Sequence, residues 1–393
     1  MTIDEGLYAG REPAFVKHTF LQEYLPALFQ KVAFRYDQLV YIDGFSGPWK
    51  SRDEKAFKDT SFGIALDALR ATVSFQKSKG RKVSAKAILV EKSQEAFADL
   101  QTLVAKFPDI NIVPINGEFE ANLERIVELL PDDAFQFLLI DPKGMKLDLR
   151  KVGCLLGRPN SEVLINFMYD FISRFVDHPD EQITANHRRL LPHVDWELLS
   201  AQLANCTMST ERESLIVGAF QDSVRREGAY TFVPSLTVQK AHADRTLYHL
   251  VFGTRKSSGL KVFRDSQTKA LNAQAKVRTQ AKEARRVEKT GQPGLFSGDA
   301  WVGSDFSIKQ IEQGNANAAT ILINKLPNGP EFVLWKDLWP EILGSCLVSY
   351  SSLGRIVNDL RKSGVIGAPD WPSPKKIIPD DDQKLCLGAG QLL

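Results

Sequence analysis

The chain predicts an α/β fold: a mainly parallel sheet with helices on both faces, followed by a small helical C-terminal module. Three observations predict it. Five short apolar runs alternate with stretches of helical periodicity from residue 38 to residue 168. The runs are continuous rather than alternating, as befits strands buried on both faces. With 393 residues, 43% of them hydrophobic, the chain can bury more than one domain core.

Residues 14–34 carry Phe15, Phe20, Leu21, Tyr24, Leu25 and Leu28 at helical spacing, with Pro26 inside the pattern. Residues 38–42 then read as a buried strand leading into the tight loop Asp43-Gly44-Phe45-Ser46-Gly47-Pro48. A helix at 61–75 precedes a second strand at 86–90 that ends at Glu91. A helix at 93–107 precedes a third strand at 110–115, ending at Asn116-Gly117-Glu118. A helix at 119–130 precedes a fourth strand at 135–140, ending at Asp141-Pro142-Lys143-Gly144. A fifth strand follows at 161–168. Residues 170–230 read as a mainly helical insertion, and 231–239 and 246–254 as two strands that close the sheet, the last antiparallel. No internal repeat has a usable period.

The formal net charge of +2 leaves the distribution of charge, not its sum, as the informative quantity. Cys154, Cys206, Cys346 and Cys386 are far apart and show no CxxC spacing, so neither a zinc site nor a disulfide framework is expected. The N-terminal residues lack a basic-then-apolar leader, and no apolar run approaches the ~18 residues of a membrane span. The expectation is a cytoplasmic protein with no membrane partner and reduced thiols.

The strand ends carry the chemistry. In an open α/β sheet, ligands bind beyond the carboxyl ends of the strands. Here the first four strands end in acidic or glycine-containing tips: Asp43-Gly44, Glu91, Gly117-Glu118 and Asp141-Pro142. A dinucleotide site needs GxGxxG opening a helix, so that backbone N–H groups hold pyrophosphate. Residues 43–48 do not match it, which places a nicotinamide-dependent oxidoreductase last among the readings. S-adenosylmethionine (SAM) has no phosphate; it carries a sulfonium, an ammonium and a ribose diol, all of which suit carboxylates. Gly44 and Gly47 would let backbone approach its methionine portion, Glu91 would accept the ribose hydroxyls, Gly117 and Glu118 would border the adenine, and Asp141 would face the methyl group. Each tip alone is ordinary turn chemistry.

These residues, in this order, resemble a known family. Lys17-His18, then a strand ending Tyr-Ile-Asp43-Gly44-Phe45-Ser46-Gly47, looks like the start of the three-Cys-motif partner (TcmP) family. It is also similar to bacterial ribosomal RNA adenine-N6 methyltransferases of the large-subunit J type. The likeness continues through the Ser61 region, Glu91, Asp141-Pro142-Lys143-Gly144 and the strand around 248–260. It implies a Rossmann-like class I methyltransferase sheet over residues 1–265, with His18 capping the cofactor pocket, Asp43, Gly44, Phe45, Ser46 and Gly47 forming the first SAM loop, and Glu91 on the ribose. It also implies a contribution from Ser61, although Thr60-Ser61-Phe62 matches the family's Gly-Ser-Pro turn only in part. Asp141 matches the first residue of the RNA enzymes' Asp-Pro-Pro-Tyr motif and is the candidate catalytic residue. Gly144 stands where those enzymes have an aromatic, and glycine cannot stack an extruded base. The partner family's Asp-Pro-x-Gly is matched, which implies a three-Cys-motif protein as companion.

Two further segments carry basic residues. Residues 255–289 hold eleven Lys/Arg against three Asp/Glu, in a run of strong helix formers. A basic helix over 266–289 would offer Lys276, Arg278, Lys282, Arg285 and Arg286 to RNA or DNA phosphates, or to water alone. The Gly- and Ser-rich stretch 290–305 reads as a linker. Residues 306–393 resemble a winged helix, with helices near 333–343 and 351–363; the second would be the recognition helix, bearing Arg355 and Arg361. The expected function is a SAM-dependent methyltransferase acting on nucleic acid or a nucleic-acid-associated substrate. The alternative is a catalytically silent methyltransferase-like partner protein.

Overall fold

The computed structural model describes residues 5–47, 51–53, 57–142, 144, 146–175, 180–291, 302–371 and 377–388. The chain divides into two compact units, Met1–Lys256 and Ser257–Leu393. The basic helix belongs wholly to the second.

The first unit is built on a seven-stranded sheet in the order β3-β2-β1-β4-β5-β7-β6. Its strands are β1 (Gln38–Asp43), β2 (Ser84–Glu91), β3 (Asn111–Asn116), β4 (Phe135–Ile140), β5 (Ser161–Phe167), β6 (Ser235–Gln239) and β7 (Thr246–Gly253). β1 to β5 run parallel, while β7 is antiparallel to both β5 and β6. This is a Rossmann-like α/β sheet, as the alternating runs predict. β4 and β5 are buried along their whole length, which is why their sequences show no period of two.

The chain lays β2 and β3 to one side of β1 and then returns to its other side with β4. The order reverses between β1 and β4, and the crossover loops leave a crevice beyond the strand ends there. Helix α1 (Glu12–Val32) lies against α2 (Ser61–Ser78) and runs through Pro26 without ending. Beside it, Tyr24 packs on Phe20, Phe137 and Phe252, and Phe137 stacks on Tyr41. Each such fully buried ring contributes about 1.5–3 kcal/mol relative to exposure. Helices α3 (Gln94–Val104), α4 (Leu123–Glu128) and α5 (Leu149–Leu156) complete the first crossovers.

Among the described residues of 169–230 there are four helices: α6 (Tyr169–Phe175), α7 (Glu181–Leu190), α8 (Trp196–Ala204) and α9 (Ser209–Gly228). Asp180 and Asp195 cap α7 and α8 by accepting backbone N–H bonds. α9 packs on α5 and β7, and α7 reaches α5, so this segment is part of the sheet's covering layer.

In the second unit, α10 runs from Ser257 to Thr290, starting nine residues before the expected helix start at 266. Leu260, Phe263, Leu271, Ala275, Val277 and Ala281 are buried on it, and it packs against α11 (Phe306–Lys325), α12 (Trp335–Ser345) and α13 (Tyr350–Lys362). Short strands β8 (Val333–Leu334), β9 (Ile366–Gly367) and β10 (Lys384–Leu387) form an antiparallel sheet in the order β8-β10-β9. The sequence reading has no helix at α11, where the polar stretch 312–317 interrupts the apolar spacing. Gly314, within that stretch, is required by close packing: a side chain there would sit 1.8 Å from the Leu347 carbonyl oxygen. Most of the expected linker, residues 292–301, lies outside the described residues.

Candidate functional site

The crevice holds a cavity of about 930 Å³, lined by the ends of β1, β2, β3 and β4, by α1, and by α7. His18, Asp43, Gly44, Phe45, Ser46, Gly47, Ser61, Glu91, Gly117, Glu118, Asp141 and Pro142 all line it. Residues spread over 125 positions of sequence therefore meet in one place, because parallel strands deliver all their carboxyl ends to one edge. Lys143 lies outside the described residues.

The loop after β1 is fastened from within. Asp43 is 2% exposed. Its carboxylate accepts the Phe45 N–H and the Tyr41 hydroxyl, both at 3.0 Å. Burial pushes its pKa up to about 6, with the Asp141 charge adding to the rise; the two hydrogen bonds and Lys17 pull the other way. The Gly44 N–H donates to the Leu139 carbonyl (3.1 Å) and the Ser46 N–H to the Val90 carbonyl (2.8 Å), tying the loop to β4 and β2. Gly44 lacks a side chain for a reason the sequence does not show. A Cβ there would stand 3.0 Å from the Phe119 ring, so the space expected for a ligand is used to seat that ring.

At β2, the Glu91 carboxylate accepts the Ser93 N–H at 2.6 Å, and Ser93 in turn caps α3. Glu91 is half-buried and held in one orientation at the rim. The Glu91 carbonyl accepts both the Gly117 N–H (3.0 Å) and the Asn116 side-chain amide (2.9 Å), which locks the ends of β2 and β3 together. Gly117 has φ +141, a conformation side chains rarely adopt. Glu118 is exposed and lies 3.9 Å from Lys92.

Asp141, beyond β4, pairs with the Lys17 ammonium from α1 and accepts the Asn166 amide from β5 at 2.5 Å. Asn166 is itself 8% exposed, and its Oδ1 is buried without a hydrogen-bond partner. Neither Lys17 nor Asn166 is in the site deduced from sequence. Lys17 is named there only as a neighbour of His18. The one available signal for Asn166 is an amide within the apolar run Val163–Phe167.

His18 is 5% exposed and fully engaged: Nδ1 with the Tyr8 hydroxyl at 2.9 Å, Nε2 with Ser61 Oγ at 3.3 Å. Burial first, then the Lys17 charge, lowers its pKa well below 6.5, so the ring is neutral at pH 7. It braces the start of α2 beside the cavity. Nearby, Arg11 pairs with the buried Asp59 at 2.7 Å and holds the loop that precedes α2.

The basic residues of the second unit divide into two groups. Arg278 was expected on a phosphate-facing surface, and the structure corrects this. Its side chain is 1% exposed and bonds Asp305, itself 2% exposed, at 3.0 Å, because α10 turns this position toward the core of its unit. Arg361 is also engaged: its guanidinium lies over the Trp371 ring at 4.3 Å and donates to Asn358 at 3.2 Å, so it is not held out toward a groove. Lys276, Arg285 and Arg355 are exposed, and Lys282 and Arg286 half-buried.

Among the described residues, no group of three or more His, Cys, Asp or Glu could hold a metal, and no helix is long and apolar enough to cross a membrane. All four cysteines are free thiols.

No protein-family model matches the chain, and no curated protein matches its sequence. Among solved structures, it is similar to a precorrin-6y C5,15-methyltransferase from Geobacter metallireducens GS-15. The identity is 11% and the TM-score 0.29, over 59% of this chain and 87% of that one. It is also similar to a loganic acid methyltransferase with SAH, at 7% identity and TM-score 0.29, over 74% of this chain and 92% of that one. The fold assignment rests on the strand order and the antiparallel β7, with no contribution from these likenesses.

Proposed function

We propose that the chain is a SAM-dependent methyltransferase acting on nucleic acid or a nucleic-acid-associated substrate. The observation that carries the reading is the convergence of acceptor groups in the crevice: Glu91 and Asp141 line one cavity, and Asn166 beside Asp141 lines it too. These strand tips suit a ligand that presents cations and O–H or N–H donors, and suit pyrophosphate poorly. SAM meets that description, and these residues fit it. The Glu91 carboxylate would hold the ribose diol, and the ends of β3 at Gly117 and Glu118 would border the base.

When bound, the group supplies a methyl on a cationic sulfur, open to in-line displacement. The chain's part is positioning. Asp43 keeps the first loop folded through Tyr41 and Phe45. His18 holds Ser61 and the entry to α2. Lys17 and Asn166 fix Asp141 from two sides, so its carboxylate can orient an acceptor or take its proton. The nucleic-acid assignment draws on the exposed Lys276, Arg285 and Arg355.

The second reading is a catalytically silent methyltransferase-like partner that binds another protein or nucleic acid; the resemblance implies a three-Cys-motif protein as that companion. Gly144 favours it, since glycine offers no ring to stack an extruded base where the RNA enzymes have an aromatic. Calorimetry with SAM on the wild type and Glu91→Ala tests the cofactor. Micromolar binding lost in the variant supports the proposal, and no binding by folded wild type refutes it. Turnover on RNA, DNA and protein pools, lost in Asp141→Ala with SAM binding intact, separates the enzyme from the silent partner.

A further inference from the structure

We infer that the cavity has a second subsite, for a phosphate group of the methyl acceptor, held by Lys146 and Arg189. The inference rests on the methyltransferase reading and names the acceptor's chemistry. Pockets for one small ligand span about 300–1,000 Å³. At 930 Å³ this cavity is near the top of that range, with room for an acceptor beside a cofactor.

α7 and residues 146–148, which precede α5, also line the cavity. α7 presents Gln182, Ala185, Asn186 and Arg189 to the cavity, a spacing that puts them on one helical face. Its other face is fixed: His187 is buried against Trp196, and Leu190 is buried too. The stripe that faces the cavity is thus two amides, an alanine and a guanidinium, so hydrogen-bond donors reach the cavity from this side.

The charges near this stripe do not cancel. Glu120 accepts the Asp148 N–H at 2.7 Å and lies 3.7 Å from Lys151. Asp148 caps α5 through the N–H groups of Arg150 and Lys151. Both acids are committed, whereas Lys146 and Arg189 are exposed and have no ion-pair partner among the described residues. Two cations lining one cavity, one a planar fork and one a compact ammonium, match a phosphate dianion in charge.

The test uses the full chain saturated with S-adenosylhomocysteine. Affinities are measured by calorimetry for a 5′-mononucleotide, the matching nucleoside and inorganic phosphate, on wild type and the Lys146→Gln/Arg189→Gln double variant. The nucleotide is expected to bind wild type more tightly than the nucleoside, to be displaced by inorganic phosphate, and to weaken about five- to tenfold in the variant. The nucleoside is expected to bind both proteins alike. Equal nucleotide affinity in the two proteins, or no binding of any phosphate-bearing probe, overturns the subsite. A short single-stranded oligonucleotide identifies the source of the phosphate. A steep salt dependence, reduced in the variant, indicates a polynucleotide; a shallow one indicates a small phosphorylated acceptor. Failure of S-adenosylhomocysteine itself to bind would count against the cofactor reading, while the phosphate comparison still decides this one.

Discussion

Replacing Arg278 by alanine should unfold the second unit more readily and leave nucleic-acid affinity unmoved. Both side chains of the pair are nearly free of water contact, at 1% and 2% exposure, and they meet at 3.0 Å. Removing the arginine leaves the Asp305 carboxylate buried with only its capping bond from the Ser307 N–H, at 2.9 Å. Breaking a buried pair from one side costs about 3–5 kcal/mol, mostly the penalty of the stranded charge. Arg278→Met with Asp305→Asn should recover most of the loss, because the charge is gone and asparagine still caps α11. The assay is urea unfolding followed by tryptophan fluorescence: Trp335, Trp339 and Trp371 are all buried in this unit. An unchanged midpoint in Arg278→Ala, together with weaker oligonucleotide binding, would refute the assignment of Arg278 to the core.

Three other outcomes are expected. Glu162, fully buried beside Tyr24 and Thr254, has its pKa pushed up by burial to about 7 from 4.5. The native state therefore holds a proton that the unfolded chain releases, and this group's contribution to stability falls as pH rises from about 4.5 to 7, by on the order of 3 kcal/mol. In Glu162→Gln that part of the pH slope in urea unfolding should vanish; a slope equal to wild type contradicts the assignment. Gly117→Ala should destabilise the first unit by about 1–3 kcal/mol, from positive φ and a 2.6 Å approach to Asn122 Nδ2, and an unchanged unfolding midpoint would count against it. Lys17→Met should raise the Asp43 pKa further above its value near 6, seen by NMR of the side-chain carboxyl carbons, since the Lys17 charge now restrains it. An unmoved Asp43 titration would remove Lys17 from that network.

Much of the sheet is legible in the residues themselves. Continuous apolar runs at 38–42, 86–90, 110–115, 135–140 and 161–168 lie on the five parallel strands; β4 and β5 show no period of two because both their faces are covered, while β3 at the edge is only partly buried. Helix ends are less legible. The stretch at 119–130 is a turn of tighter helix and then only Leu123–Glu128, and α11 is absent from the sequence reading because the polar stretch 312–317 interrupts its apolar spacing.

The sequence by itself determined which residue ends each strand, because a carboxylate or glycine at the end of an apolar run is a local event. Only the tertiary structure decided which ends meet. The reversal between β1 and β4 brings Asp43 and Asp141 to adjoining tips, and α1 carries Lys17 across 124 residues of sequence to the second of them. Charge shows the same division. Arg278 and Arg285 sit in one basic run and are alike in sequence, yet one lies in the core and the other in water. A long helix buries a single face, and the partner that covers it, not the run of charges, selects which residues that face contains.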